Sequence, residues 1–241
     1  MKTMQIEILP SAERGVTNNG WLDSRHSFNF GDYFETERLN FGTLRVFNED
    51  IVKGGKGFDE HPHENMEILT VVLEGSLKHK DSTGSESTLA KGDVQRMSAG
   101  TGVTHSEYNA SSEEPVHFFQ IWIYPKERGL APSYEQKHFP DTLFKNTLFP
   151  IACGKPSETS LLLNQDATLY RGDFEKGLRV EYTPGSKNHG CFLFVMSGKV
   201  SVGESILGKG DAAQISHSDG FEIEILSLAK ILLVELSLFG I

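Results

Sequence analysis

The sequence predicts an all-β protein of two tandem barrels, and three observations lead there. Short β-branched and aromatic runs, bounded by Gly, Asp, Asn and Ser, dominate the 241 residues, and no long 3.6-residue periodicity accompanies them. One set of strand-and-turn phrases occurs twice. The length, with 38% apolar and 23% charged residues, is enough for one large or two modest globular units with their own cores.

The strand candidates in chain order are Thr43–Phe47, Ile68–Leu73, His117–Ile123, Leu178–Tyr182, Phe192–Met196 and Ile231–Leu236. Such lengths and turn signals belong to an antiparallel sandwich or barrel. A looser, proline-bearing stretch from Pro125 to Pro156 reads as the connection, with Ser133–His138 as a short helix. The expected organisation is an N-terminal barrel over 1–130, a linker over 131–156 and a C-terminal barrel over 157–241. The two-barrel division rests on the repeat. Val72-Leu73-Glu74-Gly75-Ser76-Leu77 returns as Val195-Met196-Ser197-Gly198-Lys199-Val200, and Leu89-Ala90-Lys91-Gly92-Asp93 as Leu207-Gly208-Lys209-Gly210-Asp211. In both halves glycine sits at the tight turn, where a positive φ carries no steric penalty for it.

Bulk properties exclude several function classes. A formal charge of −10 argues against a nucleic-acid binder, which needs clustered Lys and Arg. The one basic run, Lys78-His79-Lys80, is expected to be a solvated strand end. Met1 to Pro10 lacks the apolar stretch of a signal peptide. Lys230 and Glu235 break the C-terminal apolar segment well short of the ~18 residues of a membrane span. Two cysteines, Cys153 and Cys191, with no C-x-x-C, suit a reducing compartment, so a cytoplasmic location is expected. Monomer is the expected state, since two barrels can bury each other.

Histidine is concentrated in two phrases, His61-Pro62-His63 and His105-Ser106-Glu107. Residues two apart on an extended chain point to the same side, so each phrase offers two donors on one face. On neighbouring strands they would converge as three imidazoles and a carboxylate, a set suited to Fe(II), Mn, Ni, Cu(II) or Zn. A six-coordinate ion so held keeps open positions, as catalytic metals do. His117 and His138 have no such company and are expected to be structural or exposed.

The glycines around these histidines form two blocks: Gly55, His61, His63, Glu67 and Gly75, then Gly92, Gly102, His105 and Asn109. These resemble the two motifs of the cupin superfamily, a small jelly-roll barrel with an internal metal. Trp21-Leu22-Asp23-Ser24-Arg25-His26-Ser27-Phe28-Asn29-Phe30-Gly31, His61-Pro62-His63-Glu64-Asn65-Met66-Glu67, Asp93-Val94-Gln95-Arg96-Met97 and Gly100-Thr101-Gly102-Val103-Thr104-His105-Ser106-Glu107 narrow the resemblance to the pirin family. The resemblance covers most of the N-terminal half and, more faintly, the C-terminal half. It implies two tandem cupin barrels with one metal, in the first, on His61, His63, His105 and Glu107. Fe(II) is the first choice and Ni, Mn, Cu or Zn the alternatives. It also implies oxygenolysis of flavonols such as quercetin by O2, with Glu107 as general base. The rival expectations are a redox-sensitive, metal-dependent binding protein that engages a transcription regulator or enzyme, and a barrel that the metal merely stabilises. An open, partly apolar pocket at the metal would favour the enzyme. Gly100 stands where cupins usually have proline, and Glu67 is expected to be structural. Carrying the repeat offsets across puts Pro184, Ser186, Ile223 and Ile225 at the four ligand positions, so the second barrel is expected to lack a site. His189 and His217 are read as isolated.

Overall fold

Side chains that alternate between two buried faces turn the short apolar runs into strands. The computed structural model describes residues 4–238 and, among these, contains no α-helix. The first three residues of the expected N-terminal unit and the last three of the C-terminal unit lie outside the described residues.

The first twelve strands are β1 (Gln5–Leu9), β2 (Gly15–Asn18), β3 (Leu22–His26), β4 (Leu44–Val52), β5 (Gly57–His63), β6 (Glu67–Glu74), β7 (Ser76–Asp81), β8 (Glu86–Ala90), β9 (Asp93–Ser98), β10 (Val103–Asn109), β11 (Val116–Ile123) and β12 (Ser133–His138). The remaining ten are β13 (Phe149–Cys153), β14 (Leu161–Leu162), β15 (Ala167–Phe174), β16 (Arg179–Tyr182), β17 (His189–Ser197), β18 (Lys199–Val202), β19 (Ser205–Gly208), β20 (Ala212–Ser216), β21 (Phe221–Ile225) and β22 (Ala229–Ser237). Each half pairs a seven-stranded sheet with a four-stranded one. The first half has the orders β12-β9-β6-β11-β4-β3-β2 and β5-β10-β7-β8. The second has β1-β20-β17-β22-β15-β13-β14 and β16-β21-β18-β19. This is the expected all-β pair of barrels.

The central strands of the large sheets are buried on both faces, which is why their sequences run apolar without clean alternation. On β11, Phe119, Ile121 and Ile123 join the cluster between the two halves, while Phe118 packs inside the first barrel. On β17, Phe192 and Phe194 face the same inter-barrel cluster, and Cys191, Leu193 and Val195 fill the second barrel. Phe47 stands at the centre of the seam, its ring 5.0 Å from Phe192, 4.9 Å from Phe194 and 5.3 Å from Phe119. Glu67 ties the halves by polar contacts, accepting from the Asn164 backbone N–H at 3.1 Å and from its side-chain amide at 3.3 Å. It is structural, as expected, and burial raises its pKa.

Three expectations change. Ser133–His138 is not a helix but strand β12, paired with β9 from Ser133↔Ser98 to His138↔Asp93. Its six residues carry no apolar helical stripe, and the β9 edge would otherwise present unpaired backbone groups. Lys78-His79-Lys80 is a solvated strand only for its lysines, since the alternation of β7 turns His79 fully inward. His189 is not isolated: its Nδ1 lies 2.6 Å from Glu235, its Nε2 3.2 Å from Asp166, and Tyr182 donates to the same Glu235. The strand β1 joins the C-terminal sheet by pairing with β20, from Gln5↔Ser216 to Leu9↔Ala212. The shared turn glycines hold positive φ, 74° at Gly75 and 83° at Gly198, and a Cβ there would meet Pro115 O at 2.6 Å or Leu228 O at 2.0 Å. Gly100, the departure from the cupin proline, has φ 49°, a value that proline's ring forbids.

Candidate metal centre

The strands β5 and β10 are antiparallel neighbours, with His105 opposite His61 and Val103 opposite His63. Period-two alternation puts His61 and His63 on one face of β5, and the register brings His105 against them. Ring centroids are 4.8 Å apart for His61–His63, 4.5 Å for His61–His105 and 4.9 Å for His63–His105. The register shifts between His105 and Glu107, so Glu107 lies opposite Phe58. Such an irregularity re-aims the side chains that flank it.

The imidazoles fit a divalent ion. His61 Nδ1 donates to the Asp59 carbonyl at 2.7 Å, which leaves the Nε2 lone pair free to face the cluster. His61 Nε2 and His105 Nε2 are 3.1 Å apart, close to the ~3 Å that separates two adjacent nitrogens each bound at about 2.1 Å to one octahedral ion. His63 Nε2 is buried with no hydrogen-bond partner among the described residues. Burial, then the neighbouring His105 and His61, pushes the His63 pKa down to about 4. Burial, then His61 and His79, pushes His105 down to about 3. Both rings are therefore neutral at physiological pH, the form that binds metal.

Glu107 is held rather than free. Gln95 Nε2 donates to its Oε1 at 2.8 Å, Gln120 Nε2 to its Oε2 at 2.7 Å, and the Thr70 hydroxyl lies 3.2 Å from Oε1. The structure brings the ligand atoms of His61, His63 and His105 within 4.8 Å of one another. A second group within that span joins Glu107 to His105 and His79, so His105 is the hinge between the carboxylate and the histidine trio. His79 was missed because flanking lysines disguise it. It bonds Asp81 at 3.1 Å, stacks on Tyr134 at 4.8 Å, and its Nδ1 has no hydrogen-bond partner among the described residues. His117 bonds Glu49 and His138 bonds Asp93, away from the cluster.

A cavity of about 190 Å³ reaches this cluster at His61 and Glu107. Leu22, Phe30, Phe58 and Trp122 supply apolar walls, and His26, Asn48, Asp50 and Gln120 polar ones. Trp122 stands edge-on to His63 at 4.8 Å and to Phe30 at 5.4 Å. His26 Nδ1 donates to Asn48 Oδ1 at 2.9 Å and its Nε2 accepts from the Thr17 hydroxyl at 2.9 Å. Burial lowers its pKa. Asp50, 4% exposed, accepts a hydrogen bond from Ser24, and burial pushes its carboxyl up to about 7.

Among the described residues, the second barrel has no counterpart of the trio. Counting from the equivalent glycines, Leu77 matches Val200, and the strand registers then set Tyr182 at the place of His61, Phe221 at that of His105 and Ile223 at that of Glu107. The repeat offset misplaces these equivalents by two residues at β21, because the hairpins differ in length. Aromatic and aliphatic side chains fill the space.

The sequence matches the pirin family model over residues 10–123 and that of the quercetinase C-terminal cupin domain over residues 151–236. A protein of Escherichia coli strain K12 named quercetin 2,3-dioxygenase is 40% identical over 232 residues, covering 96% of this chain and 98% of that one. The crystal structure of YhhW from E. coli superposes with a TM-score of 0.93 at 36% identity, over 98% of this chain and 100% of that one. A structure of bacterial pirin YhhW in complex with nickel(II) gives 0.91 at 36% identity, over 97% and 99%.

Proposed function

We propose, from the premise that this chain belongs to the pirin family, that it is a metal-dependent dioxygenase cleaving flavonols such as quercetin with O2. The observation that carries this reading is the cavity with apolar walls that opens onto the histidine cluster. A closed site would instead have favoured a binding or structural role. The ligands we assign are His61, His63, His105 and Glu107. Fe(II) is the ion we assign to them, with Ni, Mn, Cu or Zn as chemically acceptable substitutes. When bound, the ion supplies a Lewis acid that acidifies the flavonol 3-hydroxyl and a centre for the chemistry of O2.

The chain's own residues do the rest. Leu22, Phe30, Phe58 and Trp122 wall a flat aromatic ligand and exclude water around it. Glu107 takes the proton of the 3-hydroxyl, while Gln95, Gln120 and Thr70 keep its carboxylate in one orientation. Replacement Glu107→Gln preserves shape and one oxygen but removes the base. At matched metal content it should lower kcat at least about tenfold. Carbon monoxide release and loss of flavonol absorbance follow the reaction. Absence of oxygenolysis with Fe, Ni, Mn and Cu loaded in turn would sink the flavonol reading. Equal kcat in both proteins would remove Glu107 as the base.

A further inference from the structure

We propose that Asp50, with Ser24 and Asn48 beside it, is a recognition subsite for a phenolic hydroxyl on the part of the substrate that lies away from the metal. The inference rests on the flavonol reading and names what selects among flavonols.

Three strands build the subsite. On β4, Asn48 and Asp50 face the barrel interior, and on β3, Ser24 lies directly opposite Asp50. Asn48 pairs with Gln120 on β11, and Gln120 donates to Glu107, so Asn48 marks the metal end of the cavity. Asp50 is two residues further along an extended strand, about 6.5 Å deeper. Its partner on β11 is Phe118, part of the apolar plug with Leu22 and Val52. Asp50 is thus the last polar group before an apolar floor.

A carboxylate in that position has few reasons to exist for stability alone. Among the described residues no cation makes a direct ion pair with it: Arg14 acts on it only through space and is itself bonded to Glu49, so much of the desolvation cost of the acid is unmet. Ser24 satisfies Oδ1, while Oδ2 has no protein hydrogen-bond partner among the described residues, in a side chain that lines the cavity. A ligand ring sliding between Phe58, Leu22 and Trp122 would strip water from this oxygen. A hydroxyl arriving there replaces the lost hydrogen bond, whereas C–H or an O-methyl group leaves it unmet. With the carboxyl ionised, above about pH 7, a hydrogen bond to it is worth enough to shift affinity about ten- to a hundredfold, and an unmet buried acceptor adds to the discrimination. The ligand class is therefore a hydroxylated flavonol, one end chelating and the other carrying a free phenol.

The test is binding rather than turnover. Nickel(II)-loaded protein is titrated without oxygen with quercetin and with 3-hydroxyflavone, which keeps the chelating oxygens and lacks every other hydroxyl. Wild type should bind quercetin at least about tenfold tighter. Asp50→Ala should bring the ratio to within about threefold, leaving 3-hydroxyflavone affinity unchanged or higher. Should that variant fail to fold, Asp50→Asn keeps the shape with a weaker acceptor and should give an intermediate ratio. An unchanged ratio in either variant, or equal binding of the two ligands by wild type, overturns the subsite and leaves the flavonol reading standing. Failure of both ligands to bind metal-loaded wild type removes the flavonol reading and the subsite with it.

Discussion

Asp50 also leaves a thermodynamic trace that needs no ligand. Its ordinary value is 3.8 and the folded barrel raises it to about 7, chiefly by burial. The native state therefore holds the proton more tightly than the unfolded chain. The stability this contributes is complete below about pH 4 and is lost as pH rises through about 7. Asp50→Asn cannot ionise, so relative to wild type it should gain up to a few kcal/mol between pH 4 and 7 in the metal-free protein. Urea unfolding at four pH values across that range checks it, and parallel stability curves would refute it. Residues of this kind mark the limit of what sequence shows. His61, His63, His105 and Glu107 stood out because a period of two puts each pair on one face. Leu22-Asp23-Ser24-Arg25-His26 has the same period, but Ser24 and His26 gain meaning only when β4 brings Asp50 and Asn48 alongside. The signal for His79 was present, an apolar-facing alternation in β7, and its flanking lysines concealed it.

At the scale of elements, the proposed ligand pairs sit on β5 and β10, and the corresponding strands β16 and β21 carry Tyr182, Phe221 and Ile223. One metal per chain is the expected stoichiometry, and His61→Ala with His63→Ala should abolish binding. Elemental analysis returning two ions per chain would contradict the reading of the second barrel. The proton competition is shifted too, because His63 and His105 stay neutral to about 4 and about 3. A metal-loaded sample should hold its ion below the ~6.5 of a free imidazole, and complete release at pH 6 would argue against these ligands. The strand positions were legible where both faces are apolar, as in β6, β11, β17 and β22. The edge strands β1 and β12 were not, although the edge strand β16 was, as the run Leu178–Tyr182. In β12, Ser-Tyr-Glu-Gln-Lys-His has no pattern of its own, and in β1 the partner β20 lies some two hundred residues away. Edge pairing is specified by what the sheet leaves uncovered, which local sequence does not encode. Removing residues 1–9 should therefore loosen β20 and β17 more than β9 and β6. Amide hydrogen exchange reads the difference, and uniform protection loss would count against it.

For the whole molecule, the question is whether two barrels unfold as two units or one. The largest apolar cluster lies between them, drawing Phe47, Phe119, Ile121 and Ile123 from one half and Phe192, Phe194, Leu232 and Val234 from the other. Each barrel alone would expose that face, and β1 crosses from one half to complete the other's sheet. These features couple the halves into one cooperative unit. Phe47 is fully buried at the meeting point of three rings, so Phe47→Ala should cost about 3–5 kcal/mol. The chain has separate reporters for the two halves. Both tryptophans, Trp21 and Trp122, lie in the N-terminal half, and Cys191 is buried inside the second barrel. In a Cys153→Ser background, tryptophan fluorescence and Cys191 labelling should give the same denaturant midpoint, and Phe47→Ala should lower both equally. If the substitution moved only the tryptophan transition, the seam would be a contact between independent domains.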